Sequence, residues 1–301
     1  MLGQQRYPDI GAFDGGRETS IIEVEGLRKY YGGVRGVDRL SFEVEKGEIY
    51  GFLGPNGAGK TTTVKILVKI IRDYEGTARV LGSDLRDLDK DYYQRIGVSF
   101  EFPAVYSKLT VRENLEFIAS FYRRHMDISQ LLKMVGLDRD ADQLGANLSK
   151  GMRKKLDLAR AFLPDPEVLF LDEPIEGLDP ASARAIKDVL LEMRQDGKTI
   201  FLTTHNMYVA DELCDRVGFI VEGALKLVDR PADLKVAMGK RLVRVEYVDG
   251  SGPVVKEFPL ENLGNNQEFL DTIRTHEVRR INTEEPTLED VFLKVTGRRL
   301  V

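Results

Sequence analysis

A glycine-rich run that contains one lysine is the part of this sequence best suited to chemistry. The run GPNGAGKTT, residues 54–62, fits the pattern G-x-x-x-x-G-K-[ST]. It lies between an apolar segment that is typical of a buried strand and a segment with helical spacing of apolar side chains. The glycines allow successive backbone N–H groups to face inward at the positive end of a helix dipole. The run therefore predicts a site for phosphate groups.

Residues of this run divide the expected phosphate chemistry among them. Lys60 is expected to reach the β- and γ-phosphates of a nucleotide as a point charge, and the Thr61 hydroxyl is expected to ligate Mg²⁺. The alternative, a glycine-rich turn that happens to hold a lysine, leaves the flanking strand and helix patterns unexplained. The other expected nucleotide contacts are Gly54, Asn56, Gly57, Ala58, Gly59 and Thr62.

Two carboxylates directly follow a second apolar run. Residues 168–171 are typical of a buried central strand, and Asp172 and Glu173 come next. Because ligands bind at the carboxyl ends of parallel strands, we expect both carboxylates at the phosphate site. Asp172 is expected to hold the Mg²⁺ shell through water, and Glu173 to polarise the water that attacks the γ-phosphate. The alternative is that the pair only caps the next segment.

The pattern of the remaining chain indicates elements that can position these residues. Strands are predicted at residues 21–25, 41–45, 48–53, 168–171, 199–203, 216–221 and 224–228, with a short strand pair at 76–81 and 96–100. Helices are predicted at residues 180–195 and 207–214, and a helical subdomain at about 104–163. Within that subdomain, Thr110 and Glu113 fit a capping box. The strand–helix alternation after residue 164 predicts a parallel sheet core.

The pattern changes after about residue 240. Two alternating segments flank the turn residues DGSG, and an amphipathic helix, a strand and a further helix follow. The order ββαβα predicts a small α+β domain. We therefore predict a mobile tail at residues 1–18, a main domain at residues 19–230 and an accessory domain at residues 231–301.

Composition limits the possible classes of protein. A chain of 301 residues with 42% hydrophobic content can bury one large core and one smaller core. Its net charge of -5 argues against nucleic acid as the main partner. Cys214 is the only cysteine, so no disulfide framework exists and the reducing cytoplasm is expected. The sequence has neither a long apolar stretch nor the apolar core of a signal peptide, so we expect a soluble or peripheral protein.

The stretch NLSKGMRKKLDLARAF, residues 147–162, lies just upstream of LFLDEPIEGLDP. With the phosphate loop, it resembles the signature region of the ATP-binding cassette (ABC) ATPases, and the resemblance covers about residues 21–229. It implies a P-loop cassette with a mixed sheet core that binds and hydrolyses ATP with Mg²⁺. In this family two cassettes face each other head to tail, which implies that Ser149 and Gly151 contact the partner's γ-phosphate in trans. An ordinary N-cap role for Ser149 is the alternative.

Three further positions match the pattern of this family. Tyr31 occupies the place of the aromatic residue that stacks on adenine, although Tyr30 is an open alternative. Asp179 matches the loop that crosses the dimer interface and acts in trans, and it also fits an N-cap before a proline. His205 matches the switch histidine that contacts the γ-phosphate and orients the attacking water together with the catalytic glutamate.

Several residues depart from the family pattern. Glu101 stands where the family usually has a glutamine that contacts Mg²⁺. A carboxylate is also a good ligand for Mg²⁺, so we expect Glu101 to remain a metal ligand and to raise the pKa of one carboxyl group, its own or that of Glu173. The unusual Lys150 and Met152 of the signature are expected to be tolerated. No consequence follows from the sequence for the unusual residues Ile175 and Glu176.

Features outside the motifs favour a transporter subunit. The chain has one cassette and no long coiled coil, and its end, EEPTLEDVFLKVTGRRL, resembles the extension of cassette subunits in drug-resistance exporters. The recurring part of that extension corresponds to residues 286–292. This resemblance implies an ATPase that powers export at the cytoplasmic face of the cell membrane. Its implied partners are a separate integral membrane permease and a second ATP-binding subunit, either another copy or a close paralogue, with no nucleic acid.

The groove beside Glu101 is the expected place for a cytoplasmic helix of that permease. Phe102, Val105 and Tyr106 fit either an apolar socket for this helix or a buried local cluster. Two functions of other classes remain open at this point. One is a soluble ABC ATPase that acts in an assembly or regulatory process without a membrane partner. The other is a nucleotide-sensing module without turnover.

Overall fold

The computed structural model describes residues 20–238, 242–250, 252–284 and 286–297. Backbone contacts divide the described chain into two compact units, one that ends at Arg230 and one that begins at Pro231. The predicted tail at residues 1–18 lies outside the described residues. No helix in the described parts of the chain is long and apolar enough to cross a membrane.

The first unit combines two sheets with helices. Its strands are β1 (Ser20–Tyr31), β2 (Val34–Glu45), β3 (Ile49–Leu53), β4 (Glu75–Val80), β5 (Ser83–Asp84), β6 (Ile96–Ser99), β7 (Val168–Asp172), β8 (Thr199–Thr204), β9 (Arg216–Val221) and β10 (Ala224–Asp229). Its helices are α1 (Lys60–Leu67), α2 (Val111–Ala119), α3 (Ile128–Met134), α4 (Lys150–Phe162), α5 (Pro180–Gln195) and α6 (Met207–Leu213).

The larger sheet has the order β10-β9-β3-β8-β7-β6. Its pairs from β6 to β9 are parallel, and β10 is antiparallel to β9. Every residue of β3, β7 and β8 is buried, which explains why β3 and the first four residues of β7 form continuous apolar runs in the sequence. The carboxyl ends of these three parallel strands meet at one edge of the sheet. The phosphate loop, the carboxylate pair and His205 all follow them there.

The smaller sheet has the order β2-β1-β4-β5 and is antiparallel. The predicted pairing of residues 76–81 with residues 96–100 is wrong, because β4 pairs with β1 whereas β6 pairs with β7. The burial of the strands gives the reason. β4 is exposed at three of its six residues, as suits a half-covered antiparallel strand, whereas β6 is buried at three of its four residues and fits the central sheet.

Aromatic side chains fill the core of the first unit. The rings of Phe42, Tyr50, Phe52, Phe170 and Phe201 form one cluster, in which neighbouring ring centroids lie 5.5–6.1 Å apart. Phe42 belongs to the smaller sheet and the other four to the larger sheet, so this cluster joins the two sheets. Burial of such large apolar surfaces is the main stabilising term for the arrangement.

Helices α2, α3 and α4 pack against one another in the predicted helical region. The predicted capping box is confirmed, because the Thr110 hydroxyl accepts from the Glu113 N–H and the Glu113 carboxylate accepts from the Thr110 N–H. The alternative of a buried cluster before α2 is wrong for two of its three residues. Phe102 is 82% exposed and Tyr106 is 46% exposed, because the segment that carries them runs over the surface.

The second unit contains α7 (Pro231–Met238), β11 (Leu242–Asp249), β12 (Gly252–Pro259), α8 (Gln267–Thr275), β13 (Glu277–Glu284) and α9 (Leu288–Thr296). Its antiparallel sheet has the order β12-β11-β13, and its core contains Val243, Val245, Tyr247 and Phe258. Helix α9 packs on α7. A capping box between Thr287 and Asp290 starts α9, and Leu288, Val291 and Phe292 of this helix are buried. The apolar residues of the C-terminal motif therefore stabilise this unit.

Candidate nucleotide site

A cavity of about 320 Å³ lies where the carboxyl ends of β3 and β7 meet the start of α1. It brings together most of the residues that the sequence predicted for nucleotide and metal binding. Its lining consists of Tyr31, Arg35, Gly36, Pro55, Asn56, Gly57, Gly59, Lys60, Thr61, Thr62, Glu101, Asp172 and Glu173. The predicted residues Gly54 and Ala58 are buried and do not line the cavity. Arg35 lines it although the sequence did not single this residue out.

The backbone of the phosphate loop requires glycine at two positions. Gly57 has φ +78° and Gly59 has φ +110°, both in the left-handed region that favours glycine. A Cβ atom at Gly59 would also lie 2.5 Å from the carbonyl oxygen of Gly36. Gly59 is the N-cap of α1, and no described side chain caps this helix end. The first N–H groups of α1 are therefore available to an anion.

Lys60 is a buried cation at the base of this loop. Its Nζ donates hydrogen bonds to the carbonyl oxygens of Gly54, at 2.6 Å, and Pro55, at 3.3 Å. It also lies 3.7 Å from Oε1 of Glu173. Burial lowers the pKa of Lys60, and the negative charges of Glu173 and Asp172 oppose that shift. The ammonium group thus connects the phosphate loop with the carboxylate pair.

Asp172 is almost fully buried, and hydroxyl groups hold both of its carboxylate oxygens. The Thr61 hydroxyl donates to Oδ2 at 2.7 Å, and the Thr203 hydroxyl donates to Oδ1. The sequence analysis missed Thr203, although the polar end of the apolar run TIFLTT in β8 was a signal. Hydroxyl and carboxylate oxygens are the ligands that Mg²⁺ prefers, so this donor set fits the metal.

Glu173 is fixed by three hydrogen bonds from the end of β8 and the residue that follows it. Its Oε1 accepts from the His205 N–H at 2.9 Å and lies 2.8 Å from His205 Nδ1. Its Oε2 accepts from the Thr204 hydroxyl at 2.9 Å. The backbone of Glu173 has φ +47°, a left-handed conformation that costs a non-glycine residue about 1–2 kcal/mol. The fold therefore holds this carboxylate in a fixed, strained position, and sequence reasoning missed the hydroxyl of Thr204.

Glu101 contributes a third carboxylate to the cavity lining. Burial raises the pKa of Glu101, and the negative charges of Glu176, Asp172 and Glu173 raise it further. The rise expected at one carboxyl group thus occurs at Glu101, but burial is a larger cause than charge repulsion.

The three residues expected to act in trans do not line the cavity of their own chain. Ser149 is the N-cap of α4 and accepts from the Met152 N–H at 3.2 Å. Asp179 is the N-cap of α5 and accepts from the N–H groups of two residues in its first turn. A Cβ atom at Gly151 would lie 3.5 Å from the carbonyl oxygen of Gly177. The start of α4 therefore packs closely on the segment that leads to Asp179.

Two residues that depart from the family pattern lie close together. Lys150 Nζ is 3.9 Å from Oε1 of Glu176. A Cβ atom at Gly177 would lie 2.9 Å from the Cε atom of Lys150. The Lys150 side chain thus lies over Gly177, the residue after Glu176. The sequence alone did not reveal this contact.

The two candidate tyrosines differ in their relation to the cavity. Tyr31 lines it, whereas Tyr30 does not, although both side chains are exposed to a similar degree. Lys29 Nζ lies 5.3 Å from the centroid of the Tyr31 ring. The Tyr31 ring is therefore the aromatic surface that a base in this cavity would meet.

Comparisons with known proteins match both units of the chain. Residues 37–176 match the ABC transporter family, and residues 241–285 match the fluoroquinolone efflux ABC transporter C-terminal domain. A fluoroquinolones export ATP-binding protein of Mycobacterium tuberculosis is 48% identical, over 94% of this chain and 95% of its own length. This chain belongs to the ABC transporter ATP-binding proteins. The bacitracin transport ATP-binding protein BcrA of Bacillus licheniformis, another relative, is 33% identical over 93% of this chain and 98% of its own length.

Solved structures support the same assignment. An ATP-binding subunit of an ABC transporter superposes with a TM-score of 0.67 at 29% identity, over 73% of this chain and 94% of that chain. A dimeric ATP-binding cassette in a post-hydrolysis state, bound to ADP and Pi, superposes with a TM-score of 0.64 at 25% identity, over 69% of this chain and 98% of that chain. The predicted cassette fold is confirmed. The protein is an ATP-binding and ATP-hydrolysing ABC transporter subunit, associated with the membrane through a permease.

Proposed function

We propose that this ABC subunit powers the export of fluoroquinolone-type compounds through a separate permease, from the cytoplasmic face of the cell membrane. The observation that carries this proposal is the similarity to the M. tuberculosis export protein, which extends over 94% of the chain and is accompanied by the match of residues 241–285. The cassette alone is shared by transporters of many substrates. A similarity that includes the accessory unit therefore favours this class of cargo.

Nucleotide binding is assigned to the residues that line the cavity. The N–H groups of the loop and Lys60 would hold the phosphates, and Tyr31 would stack on the adenine; the lining of the cavity supports both roles. Thr61, Glu101 and Asp172 would hold Mg²⁺, and Asp172 would do so through water. When bound, Mg²⁺ neutralises the charge that develops on the β- and γ-phosphates.

Hydrolysis is assigned to Glu173 and His205. The Glu173 carboxylate is the base that accepts a proton from the attacking water. Its hydrogen bonds from Thr204 and His205 keep it in one orientation, so little reorganisation is needed when the water attacks. A role of Glu173 as proton acceptor requires that His205 Nδ1 carry the hydrogen of their 2.8 Å contact. His205 thereby links the base to the segment after β8.

The opposite face of the nucleotide is assigned to a second cassette, another copy or a close paralogue. Ser149 and Gly151 lie at the N-terminal end of α4, where a hydroxyl and helical N–H groups can bind an anion. Asp179, the N-cap of α5, directly follows the segment that packs on Gly151. These residues do not line the cavity of their own chain, which supports a role for them at the nucleotide of a partner.

The permease is expected to dock on exposed aromatic residues, one of which, Phe102, directly follows Glu101 in the chain. Phe102, Tyr106, Phe117 and Phe121 are 42–82% exposed. Tyr106 packs edge-on against Phe117, which packs edge-on against Phe121. Exposed aromatic rings, three of which pack on one another, are the kind of surface that binds the apolar face of a helix. We assign this surface, the aromatic surface, to a cytoplasmic helix of the permease.

Basic residues near the aromatic surface indicate which charge the docking helix of the permease should carry. A cavity of about 500 Å³ has four basic side chains and one acidic side chain in its lining, namely Lys69, Arg72, Arg86, Lys90 and Asp89. The side-chain amide of Gln94, from the turn that includes Lys90, donates to the Phe121 carbonyl at 3.0 Å, which connects this region to the aromatic surface. A helix with apolar residues on one face and acidic residues at its end would complement both features.

Export can be tested in a drug-sensitive bacterial strain that expresses this chain together with its permease. The wild type should raise the inhibitory concentration of a fluoroquinolone, and Glu173→Gln should abolish the effect. If the purified protein hydrolyses ATP but the strain gains no resistance, the assignment of fluoroquinolones as the cargo is wrong. ATP hydrolysis that is unaffected by Glu173→Gln would show that the assigned base is wrong.

Docking can be tested with Phe102→Ser and Phe117→Ser in the same strain. Both variants should lose co-purification with the permease and keep the ATPase activity of the isolated subunit. Val255→Ser, which changes an exposed apolar residue of the second unit, is the matched control. Normal co-purification of both phenylalanine variants would rule out the aromatic surface as the docking site.

A further inference from the structure

Lys154 of α4 contacts the backbone directly before two carboxylates of the site. Its side chain is buried, and its Nζ donates to the carbonyl oxygens of Phe100, at 3.0 Å, and Asp172, at 3.1 Å. The next residues in the chain are Glu101 and Glu173, respectively. One ammonium group on the signature helix therefore holds the peptide groups that precede both carboxylates.

A second side chain of α4 strengthens the contact with Phe100. Asp157, one turn further along the helix, accepts from the Phe100 N–H at 3.2 Å and from the Ser99 hydroxyl at 2.7 Å. Both backbone polar groups of Phe100 are thus bound by α4, the carbonyl group by Lys154 and the N–H group by Asp157. We therefore expect Glu101 to move with α4, because α4 binds both the N–H and the carbonyl group of Phe100, the residue before Glu101.

Burial of the Lys154 ammonium has a cost. Desolvation lowers the pKa of Lys154, and nearby carboxylates oppose the shift; these are Asp157, Asp172, Glu173 and Glu176. An apolar side chain of similar size would fill the same space without the cost of desolvating a charge. Packing alone therefore does not explain a lysine at this position. The hydrogen bonds from its ammonium group to two carbonyl oxygens beside the site do explain it.

We propose that Lys154 is a positioning residue for ATP hydrolysis, which makes the placement of Glu101 and Glu173 depend on the position of α4. This inference rests on the proposed role of Glu173 as the base. Helix α4 begins directly after Ser149 and contains Gly151, which are assigned to the partner's nucleotide. When the start of α4 seats on that nucleotide, Lys154 carries the displacement to the two carboxylates of its own site. The two nucleotide sites of a dimer would thereby be coupled through a buried lysine.

The test compares Lys154→Met with Lys154→Gln in the full-length chain. Methionine keeps most of the side-chain volume but removes the charge and the N–H donors, whereas glutamine keeps N–H donors. We expect Lys154→Met to lower kcat by about 10- to 100-fold, as misplacement of a reacting group does. The Kd for ATP measured without Mg²⁺ should change less than about threefold, since Lys154 does not line the nucleotide cavity. Lys154→Gln should recover part of kcat.

Lys133→Met is the matched control, because Lys133 is exposed on the neighbouring helix α3. The inference is overturned if Lys154→Met has the kcat of this control. It is also overturned if both Lys154 variants lose kcat, affinity for ATP without Mg²⁺ and Tm together, because that pattern indicates a purely structural role. Glu173→Gln, measured alongside, separates the two proposals. Full turnover in Glu173→Gln would show that Glu173 is not the base. Lost turnover in Glu173→Gln together with normal turnover in Lys154→Met would contradict only the role of Lys154.

Discussion

The Thr61 hydroxyl donates a 2.7 Å hydrogen bond to the Asp172 carboxylate, although 111 positions separate the two residues in the chain. Thr61 lies in the first turn of α1, and Asp172 is the last residue of β7. Strands β3, β8 and β7 are adjacent and parallel, so the end of β3, which leads to α1, and the end of β7 lie at one edge of the central sheet. Two oxygen groups suited to Mg²⁺ are thereby held next to the phosphate loop.

Thr61→Ala removes one of these oxygen groups and deprives the Asp172 carboxylate of a hydrogen-bond donor. We expect Mg-ATP to bind about 10- to 100-fold more weakly, because an oxygen ligand of the metal is lost and Asp172 is held less firmly. ATP without metal should bind almost as it does to the wild type. Calorimetric titration with and without Mg²⁺ measures both affinities, and Thr61→Ser is the control that keeps the hydroxyl. An equal loss with and without the metal would speak against a role in metal binding.

Tyr31 and Tyr30 can be compared directly as adenine-binding residues, because only Tyr31 lines the cavity. Tyr31→Ala should raise the Kd for ATP by about 5- to 100-fold, since stacking of a base on an aromatic ring contributes about 1–3 kcal/mol. Tyr30→Ala should leave the Kd within about twofold. The same titration on both variants decides the matter. A larger effect of Tyr30→Ala would assign the base to the other ring.

Phe201→Ala should strongly destabilise the first unit, because Phe201 contacts four other aromatic rings in the core. We expect the free energy of unfolding to fall by about 3–5 kcal/mol. Tyr208→Ala is a suitable control, since Tyr208 is 75% exposed. Urea denaturation followed by circular dichroism gives both values. Equal midpoints for the two variants would mean that the cluster does not stabilise the fold.

Glu101→Gln should change the dependence of stability on pH. The folded-state pKa of Glu101 is raised above its ordinary value of 4.5, first by burial and then by neighbouring carboxylates. The stability that its protonated form contributes is therefore complete below pH 4.5 and is lost as the pH rises through the raised pKa. Glutamine has no such loss. The Tm of Glu101→Gln should exceed that of the wild type at pH 7 and approach it below about pH 4. A constant difference in Tm at every pH would contradict this explanation.

The sequence predicted the parts of this molecule whose signals are local. The phosphate loop, the carboxylate pair and the capping box at Thr110 each depend on a few adjacent residues, so their patterns are readable. The continuous apolar runs that became β3 and β7 had the same advantage, because strands buried on both faces need no alternation.

What the sequence did not predict depends on long-range contacts. The partners of β4 and β6 could not be chosen from their own residues, since strand pairing joins segments far apart in the chain. The hydroxyl groups of Thr203 and Thr204 reach the carboxylates only because β8 lies beside β7. Lys154 was missed for the same reason, because a charged residue in a helix usually faces solvent and only tertiary packing buries it.

ATP-dependent association of the Glu173→Gln variant tests the central claim most directly. With its base removed and its nucleotide-binding residues intact, this variant should shift from monomer to dimer in sedimentation velocity when Mg-ATP is added. Adding Gly151→Glu, which brings a negative charge to the start of α4, should keep it monomeric because that charge would repel the partner's nucleotide. A Glu173→Gln protein that binds Mg-ATP but stays monomeric at saturating nucleotide would contradict the proposed two-subunit site.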